Sequence, residues 1–127
     1  MAVVLIIEDN EMNMKLVRDV LQFKGYKTLE ANCGRDGVRM CIEYLPDLVL
    51  MDIQLPDIDG LTAFKEIRAN PRTQNIPVVV VTASVMPHDQ QRIAASGFDA
   101  FISKPINVKN FVQTVGRFVA AHRESPP

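Results

Sequence analysis

Leu48-Val49-Leu50-Met51-Asp52-Ile53-Gln54-Leu55-Pro56-Asp57-Ile58-Asp59-Gly60 is the stretch that decides the fold: an apolar run ends on one carboxylate and passes into a turn. A short apolar run without polar alternation, bounded by turn residues, has the pattern of a parallel strand covered on both faces. Asp52 then stands at the C-terminal mouth of that strand, the edge of an open parallel sheet where ligands bind. Pro56, Asp59 and Gly60 supply turn chemistry, and Asp57 or Asp59 is expected to cap the helix that follows.

The same signature recurs on either side. Residues 2–7 form an apolar, β-branched run that stops at Glu8-Asp9-Asn10, so two acids sit at the mouth of a first strand. Residues 12–24 carry Met12, Leu16, Val17, Val20, Leu21 and Phe23 mostly at spacings of three and four, the stripe of an amphipathic helix capped by Asn10 and stopped by Gly25. Residues 26–31 read as a strand and 34–43 as a second helix with Val38, Cys41 and Ile42 on one side; Pro46 punctuates before the next strand. Beyond Gly60, Leu61, Phe64 and Ile67 mark a third helix ending near Asn70-Pro71. Residues 78–81 form a fourth strand that finishes on Thr82-Ala83-Ser84. The segment 87–96 has a small apolar face and reads as a loosely packed helix closed by Gly97, and 100–103 make a fifth strand ended by Lys104-Pro105. Val108, Phe111, Val112, Val115, Phe118 and Val119 mark a last helix capped by Asn107, with 122–127 as a flexible tail.

Five alternations of strand and helix with short connections require a parallel sheet covered by helices on both faces, with too few units for an eight-fold barrel. The pattern alone leaves the strand order open. A chain of 127 residues suffices for a domain with its own core, and one domain over 1–127 is expected. Lys+Arg 14 against Asp+Glu 15 leaves no global field to draw the chain toward nucleic acid or an anionic membrane. No apolar run spans a bilayer and the N-terminus lacks the basic-then-apolar pattern of an export signal, so a cytoplasmic location is expected. Cys33 and Cys41, without metal-type spacing, read as free packing thiols.

The strand ends deliver Glu8 and Asp9, Asp52, Thr82 and Lys104 to one edge. Carboxylates within about 4 Å repel by roughly 4 kcal/mol per pair at an effective dielectric near 20, so a cation must compensate. The ligands at hand are hard oxygens with no His or Cys nearby in sequence, which selects Mg2+ or Mn2+ over zinc. Such a site suits phosphoryl transfer. Asp52 would be the nucleophile, the metal and Lys104 would neutralise the phosphoryl oxygens, Thr82 would donate a hydrogen bond to one of them, and Ala83 would leave room.

In this combination the sequence resembles the receiver domains of two-component response regulators, over roughly residues 3–119. Glu8-Asp9 resembles the family's acidic pair, Asp52 its phosphoacceptor, Thr82 its switch hydroxyl, and Lys104-Pro105 its lysine and following proline. The runs Glu-Asp-Asn-Glu-Met-Asn-Met-Lys-Leu, Met-Asp-Ile-Gln-Leu-Pro and Ile-Ser-Lys-Pro-Ile are similar to those of single-domain regulators in bacterial cell-cycle phosphorelays, and to receivers attached to hybrid histidine kinases. The resemblance implies a flavodoxin-like, doubly wound α/β fold with a five-stranded parallel sheet in the order 2-1-3-4-5. It implies Mg2+, with Mn2+ able to substitute, bound directly by Asp9 and Asp52, through water by Glu8, and by the backbone carbonyl of Gln54. A cis peptide before Pro105 is implied, and an aromatic switch at Phe101 that turns inward when Thr82 moves toward the phosphoryl group. The implied partners are a sensor histidine kinase or histidine phosphotransfer protein as donor, and a downstream protein bound through the face of the fourth helix (87–96), fifth strand and last helix.

With nothing beyond the receiver, the phosphorylated chain would signal only by binding, as a single-domain regulator that catalyses its own phosphorylation and dephosphorylation rather than turning over an external substrate. A module that regulates a partner kinase by binding, without phosphorylation, is the alternative. A phosphatase of the haloacid dehalogenase type would need a second acid two residues after the nucleophile, where this chain has Gln54. A flavin or nucleotide binder of the same fold would need a glycine-rich loop after the first strand, where it has Glu8-Asp9-Asn10.

Overall fold

The computed structural model describes residues 2–83, 91 and 95–124, the side chains of 123 and 124 excepted. In chain order its elements are β1 (Val3–Ile7), α1 (Glu11–Phe23), β2 (Lys27–Ala31), α2 (Gly34–Tyr44), β3 (Leu48–Met51), α3 (Gly60–Ala69), β4 (Val78–Thr82), β5 (Ala100–Ser103) and a C-terminal helix (Val108–Glu124). Every strand pair is parallel and the sheet order is β2-β1-β3-β4-β5, the doubly wound, flavodoxin-like arrangement that the motifs imply. The helix expected over 87–96 falls largely outside the described residues.

The apolar runs of β1, β3 and β4 need cover on both faces, and they receive it. Val4, Ile6, Leu48, Leu50, Val79 and Val81 pack against α1 and the C-terminal helix through Met14, Val17, Leu21, Phe111, Val115 and Val119. Leu5, Ile7, Val49, Met51 and Val78 face the other way, onto Cys41 of α2 and Ala63, Phe64 and Ile67 of α3. Each fully buried aliphatic or aromatic side chain of these layers contributes roughly 1.5–3 kcal/mol relative to exposure. Cys33 and Cys41 are free thiols, and burial pushes Cys41 up to about 12, the state of a packing residue.

Local chemistry sets the helix ends. Asn10 accepts a hydrogen bond from the Asn13 amide at 3.0 Å, and Asn107 accepts one from the Asn110 amide at 3.1 Å, so both expected caps operate. Gly25, at φ +90°, turns the chain from α1 into β2. Asn70 leaves α3 in an extended conformation, the geometry that the following Pro71 imposes.

The expected stripe of α1 needs correction. Val17 and Leu21 are buried together with Met14, whereas Met12 (83 % exposed), Leu16 and Phe23 (86 % exposed) face away. Met12 and Leu16 each lie two positions from Met14, and Phe23 lies two from Leu21, which is roughly 200° around a helix of 3.6 residues per turn. The three- and four-residue spacings therefore mixed two opposite faces.

Candidate functional site

Strand register carries the chemistry to one edge. Ile7 lies opposite Met51, Met51 opposite Val80, and Thr82 opposite Ser103, so the residues that follow each strand emerge side by side. The ladder continues one step past the strands: Asp52 N–H donates to the Ile7 carbonyl at 3.0 Å, and Lys104 N–H to the Thr82 carbonyl at 3.0 Å. Glu8 and Asp52 are buried, at 6 % and 7 % exposure, and Thr82 is fully buried, while Asp9 is exposed.

One cation of the chain already serves this acidic site. The Lys104 Nζ lies 2.6 Å from Glu8 Oε1 and 2.8 Å from Asp52 Oδ2. The other oxygen of each acid is held by backbone: Asn10 N–H donates to Glu8 Oε2 at 3.2 Å, and Gln54 N–H donates to Asp52 Oδ1 at 3.0 Å. Burial raises the Glu8 pKa above its ordinary 4.5, and the repulsion of Asp52 adds to this, against the opposing hydrogen bonds from Lys104 and Asn10. Burial also pulls Lys104 down, but its hydrogen bonds to Asp52 and Glu8 outweigh that and hold the ammonium above its ordinary 10.5.

Glu8, Asp9 and Asp52 each offer an oxygen within 4.8 Å of the others. A hard divalent ion with bond lengths near 2.0–2.1 Å fits this set: among the described residues three carboxylates share one ammonium in direct contact, which leaves negative charge unmatched, and water can complete an octahedron on the exposed Asp9 side. Gln54 lies on the same loop as Asp52 and its amide contacts the Asp52 carboxylate. The sequence-derived constellation is thus assembled as a unit. Of the remaining expected residues, Phe101 on β5 is 37 % exposed, so its ring faces outward rather than into the core, and the Lys104-Pro105 peptide is cis. Ala83 is exposed beside the site, and Ser84 lies outside the described residues.

The loop acids divide their roles. Asp59 caps α3, accepting from the Thr62 amide at 2.8 Å. Asp57, also expected to serve that helix, instead caps α2: its carboxylate accepts from Gly34 N–H at 2.7 Å and Arg35 N–H at 2.9 Å. The reason is that α2 begins on Cys33, which gives no side-chain cap, and leaves amide donors open to an acid from elsewhere. The Arg35 amide, followed by those of Ile58 and Gly34, holds the Asp57 carboxyl well below the usual carboxylate range. A partner 23 residues away leaves no local signal in the sequence. An open cleft of about 670 Å3, reaching from Glu8 and Asp9 between α1 and α2 past Lys15, Arg18 and Arg39, was likewise invisible to sequence pattern.

Residues 4–116 match the family model described as response regulator receiver domain. The chain is 43 % identical over 116 residues to the polar-differentiation response regulator DivK of Brucella ovis, covering 91 % of this chain and 94 % of the relative; DivK of Brucella anthropi matches equally. Among solved structures, the signal receiver domain of a signal transduction histidine kinase from Syntrophus aciditrophicus superimposes with a TM-score of 0.92 at 28 % identity, covering 99 % of this chain and 96 % of that one. The receiver domain of a sensor histidine kinase from Pseudomonas aeruginosa PAO1, with a magnesium ion coordinated in its active-site cleft, gives 0.88 at 27 % identity, covering 94 % and 98 %.

Proposed function

Since the chain belongs to the response regulator receiver domain family, whose members are phospho-accepting signalling modules, we propose that Asp52 accepts a phosphoryl group from a phosphohistidine and that this switches protein binding. The observation that carries the reading is the pairing of Asp52 with Lys104 at 2.8 Å, inside a three-carboxylate cluster at the mouth of the sheet.

In the transfer, an Asp52 carboxylate oxygen attacks phosphorus, the P–N bond of the donor breaks, and the imidazole leaves with the electron pair. The Gln54 amide and Lys104 hold the carboxylate oxygens in place before the donor arrives, so the nucleophile needs no reorientation. Lys104 then faces the incoming phosphoryl oxygens, and the Thr82 hydroxyl, at the end of the adjacent strand, donates to one of them. Mg2+ would be held by Asp9, Asp52 and the Gln54 carbonyl, with Glu8 acting through water, and supplies charge neutralisation to the phosphoryl oxygens; Mn2+ has the same ligand preference. Hydrolysis returns free Asp52 and inorganic phosphate, so the chain acts on its own carboxylate and turns over no external substrate.

Thr82 moving toward the phosphoryl group would vacate space into which Phe101 turns, with Pro105 keeping Lys104 in register. The face of β5, the C-terminal helix and the segment 87–96 would then change its affinity for a downstream protein; a coupling of about 1–3 kcal/mol corresponds to a 5- to 150-fold change. Receiver domains work with histidine kinases and phosphotransfer proteins, and we take one of these as the donor. The match over 91 % of this chain and 94 % of DivK supports a DivK-like regulator as the reading. Among the described residues no helix is long and apolar enough to cross a membrane, and a cytoplasmic site of action fits such partners.

Incubation with acetyl phosphate or phosphoramidate and Mg2+, followed by intact mass, tests the reading. A Mg2+-dependent phosphoryl adduct on the wild type and none on Asp52→Asn is expected. No adduct on either folded protein would replace the proposal with a module that binds its partner kinase without phosphorylation.

A further inference from the structure

The loop between β3 and α3 carries Gln54, and its two ends are tied internally: Leu55 N–H and Gly60 N–H both donate to the Ile53 carbonyl, at 3.1 and 2.8 Å. Its middle is tied to another element. Asp57 places one carboxylate oxygen on Gly34 N–H and the other on Arg35 N–H, closing the open amides at the start of α2. Beside it Ile58 rests on Gly34 so closely that a Cβ there would lie 2.5 Å from Ile58 Cγ1. Two adjacent residues of the loop, one by hydrogen bonds and one by packing, thus seat it against a helix that is itself anchored in the core through Cys41.

We infer that Asp57 is a positioning residue for the phosphoacceptor loop: its clamp on Gly34 and Arg35 fixes where the Gln54 backbone stands relative to Asp52. The inference rests on the phosphoacceptor reading and extends it to a residue that touches neither metal nor phosphoryl group. The Leu55 N–H bond to Ile53 sets the Gln54 carbonyl within its turn, and the clamp on Gly34 and Arg35 sets where that turn as a whole stands against the sheet edge. Small misplacements of a ligand or reacting group are costly because the geometry of transfer is narrow.

Asp57→Ala and Asp57→Asn are compared with wild type and with Asp47→Ala, a control at the opposite end of the sheet that loses an acceptor for the Val3 N–H (2.8 Å). Three readouts are taken: amide exchange in the metal-free protein, Mg2+ titration followed by amide shifts, and the rate of phosphoryl loss from Asp52. For Asp57→Ala the expected result is faster exchange at Gln54 and Leu55 as well as at Gly34 and Arg35, with Mg2+ affinity lowered roughly tenfold, the scale of lost outer support around a metal. Phosphoryl loss should change in rate as well. Asp57→Asn keeps one acceptor and should fall between; Asp47→Ala should lower thermal stability while leaving Mg2+ affinity at the wild-type value. Faster exchange confined to Gly34 and Arg35, with Mg2+ affinity and phosphoryl loss unchanged, would overturn the assignment. If wild type itself forms no adduct, the phosphoacceptor reading fails, while exchange and Mg2+ titration still decide the role of Asp57.

Discussion

The Lys104 ammonium and the Asp52 carboxylate, 52 residues apart in sequence, meet at 2.8 Å with side-chain exposures of 13 % and 8 %. A contact this sheltered is screened little by solvent, and it makes Lys104 the resident counter-charge of a site that holds two further acids.

Removing that counter-charge should expose the strain of the acidic cluster. Lys104→Met is expected to lose about 2–3 kcal/mol of stability in EDTA, because Glu8 and Asp52 keep their backbone hydrogen bonds but are left buried without a counter-charge. Added Mg2+ should stabilise the variant more than it stabilises wild type. Urea denaturation curves that coincide for the two proteins in EDTA would contradict this.

Metal binding itself should be visible as stability. At Mg2+ ten times its Kd, wild type should gain about 1.4 kcal/mol, the mass-action value for one site on the native state only. Asp52→Asn removes a charged ligand from the cluster and should gain clearly less at the same concentration. Thermal melts with and without Mg2+ make the comparison.

Glu8 gives the metal-free protein a pH signature. Its native pKa lies above 4.5, so the folded state keeps a proton that the unfolded chain has released. Its contribution to stability is therefore fully present below 4.5 and declines as pH rises through the native pKa. The stability difference between wild type and Glu8→Gln, measured in EDTA, should shrink and then reverse sign or level off as pH rises from 4.5. Mg2+ affinity should rise over the same range, since the ion takes the ionised carboxylate. Lys104 acts at the other end: its raised pKa gives stability present below 10.5 and lost as pH climbs through the native value.

Two glycines should respond in opposite ways to alanine. A Cβ at Gly60 would stand 2.7 Å from both the Asp52 carbonyl oxygen and the Ile53 Cα, backbone atoms that cannot step aside, so Gly60→Ala should cost about 2–3 kcal/mol and weaken phosphorylation. At Gly116, inside the C-terminal helix, the nearest atom is the Tyr26 hydroxyl at 3.7 Å, and Gly116→Ala should stabilise by about 0.5–1 kcal/mol. Chemical denaturation of both variants reads the two signs directly.

Asp52, Thr82 and Lys104 were legible in sequence because each ends an apolar run, and a parallel sheet brings such ends together whatever the order of its strands. The order itself came through motif resemblance; hydrophobic pattern carries no information on which strands are neighbours. In α1, Met12, Leu16 and Phe23 are as apolar as the residues that are buried, so periodicity could not tell the core face from its opposite. Asp57 and Gly34 are joined by tertiary contact alone, and turn chemistry assigns an acid only to the helix next to it.

Strand register in this sheet has to be chosen during folding from nearly equivalent alignments. Within β1, β3 and β4 nearly every side chain is aliphatic, so neighbouring alignments of one strand against another would bury similar surface. What separates the correct alignment from its competitors is the polar group just past each strand. Sliding β3 forward by one residue would draw Asp52 into the hydrocarbon layer, away from the Lys104 ammonium, at the cost of a buried charge without its counter-charge. The carboxylates gathered at this edge therefore also act as end-stops that tell the chain where its strands must halt.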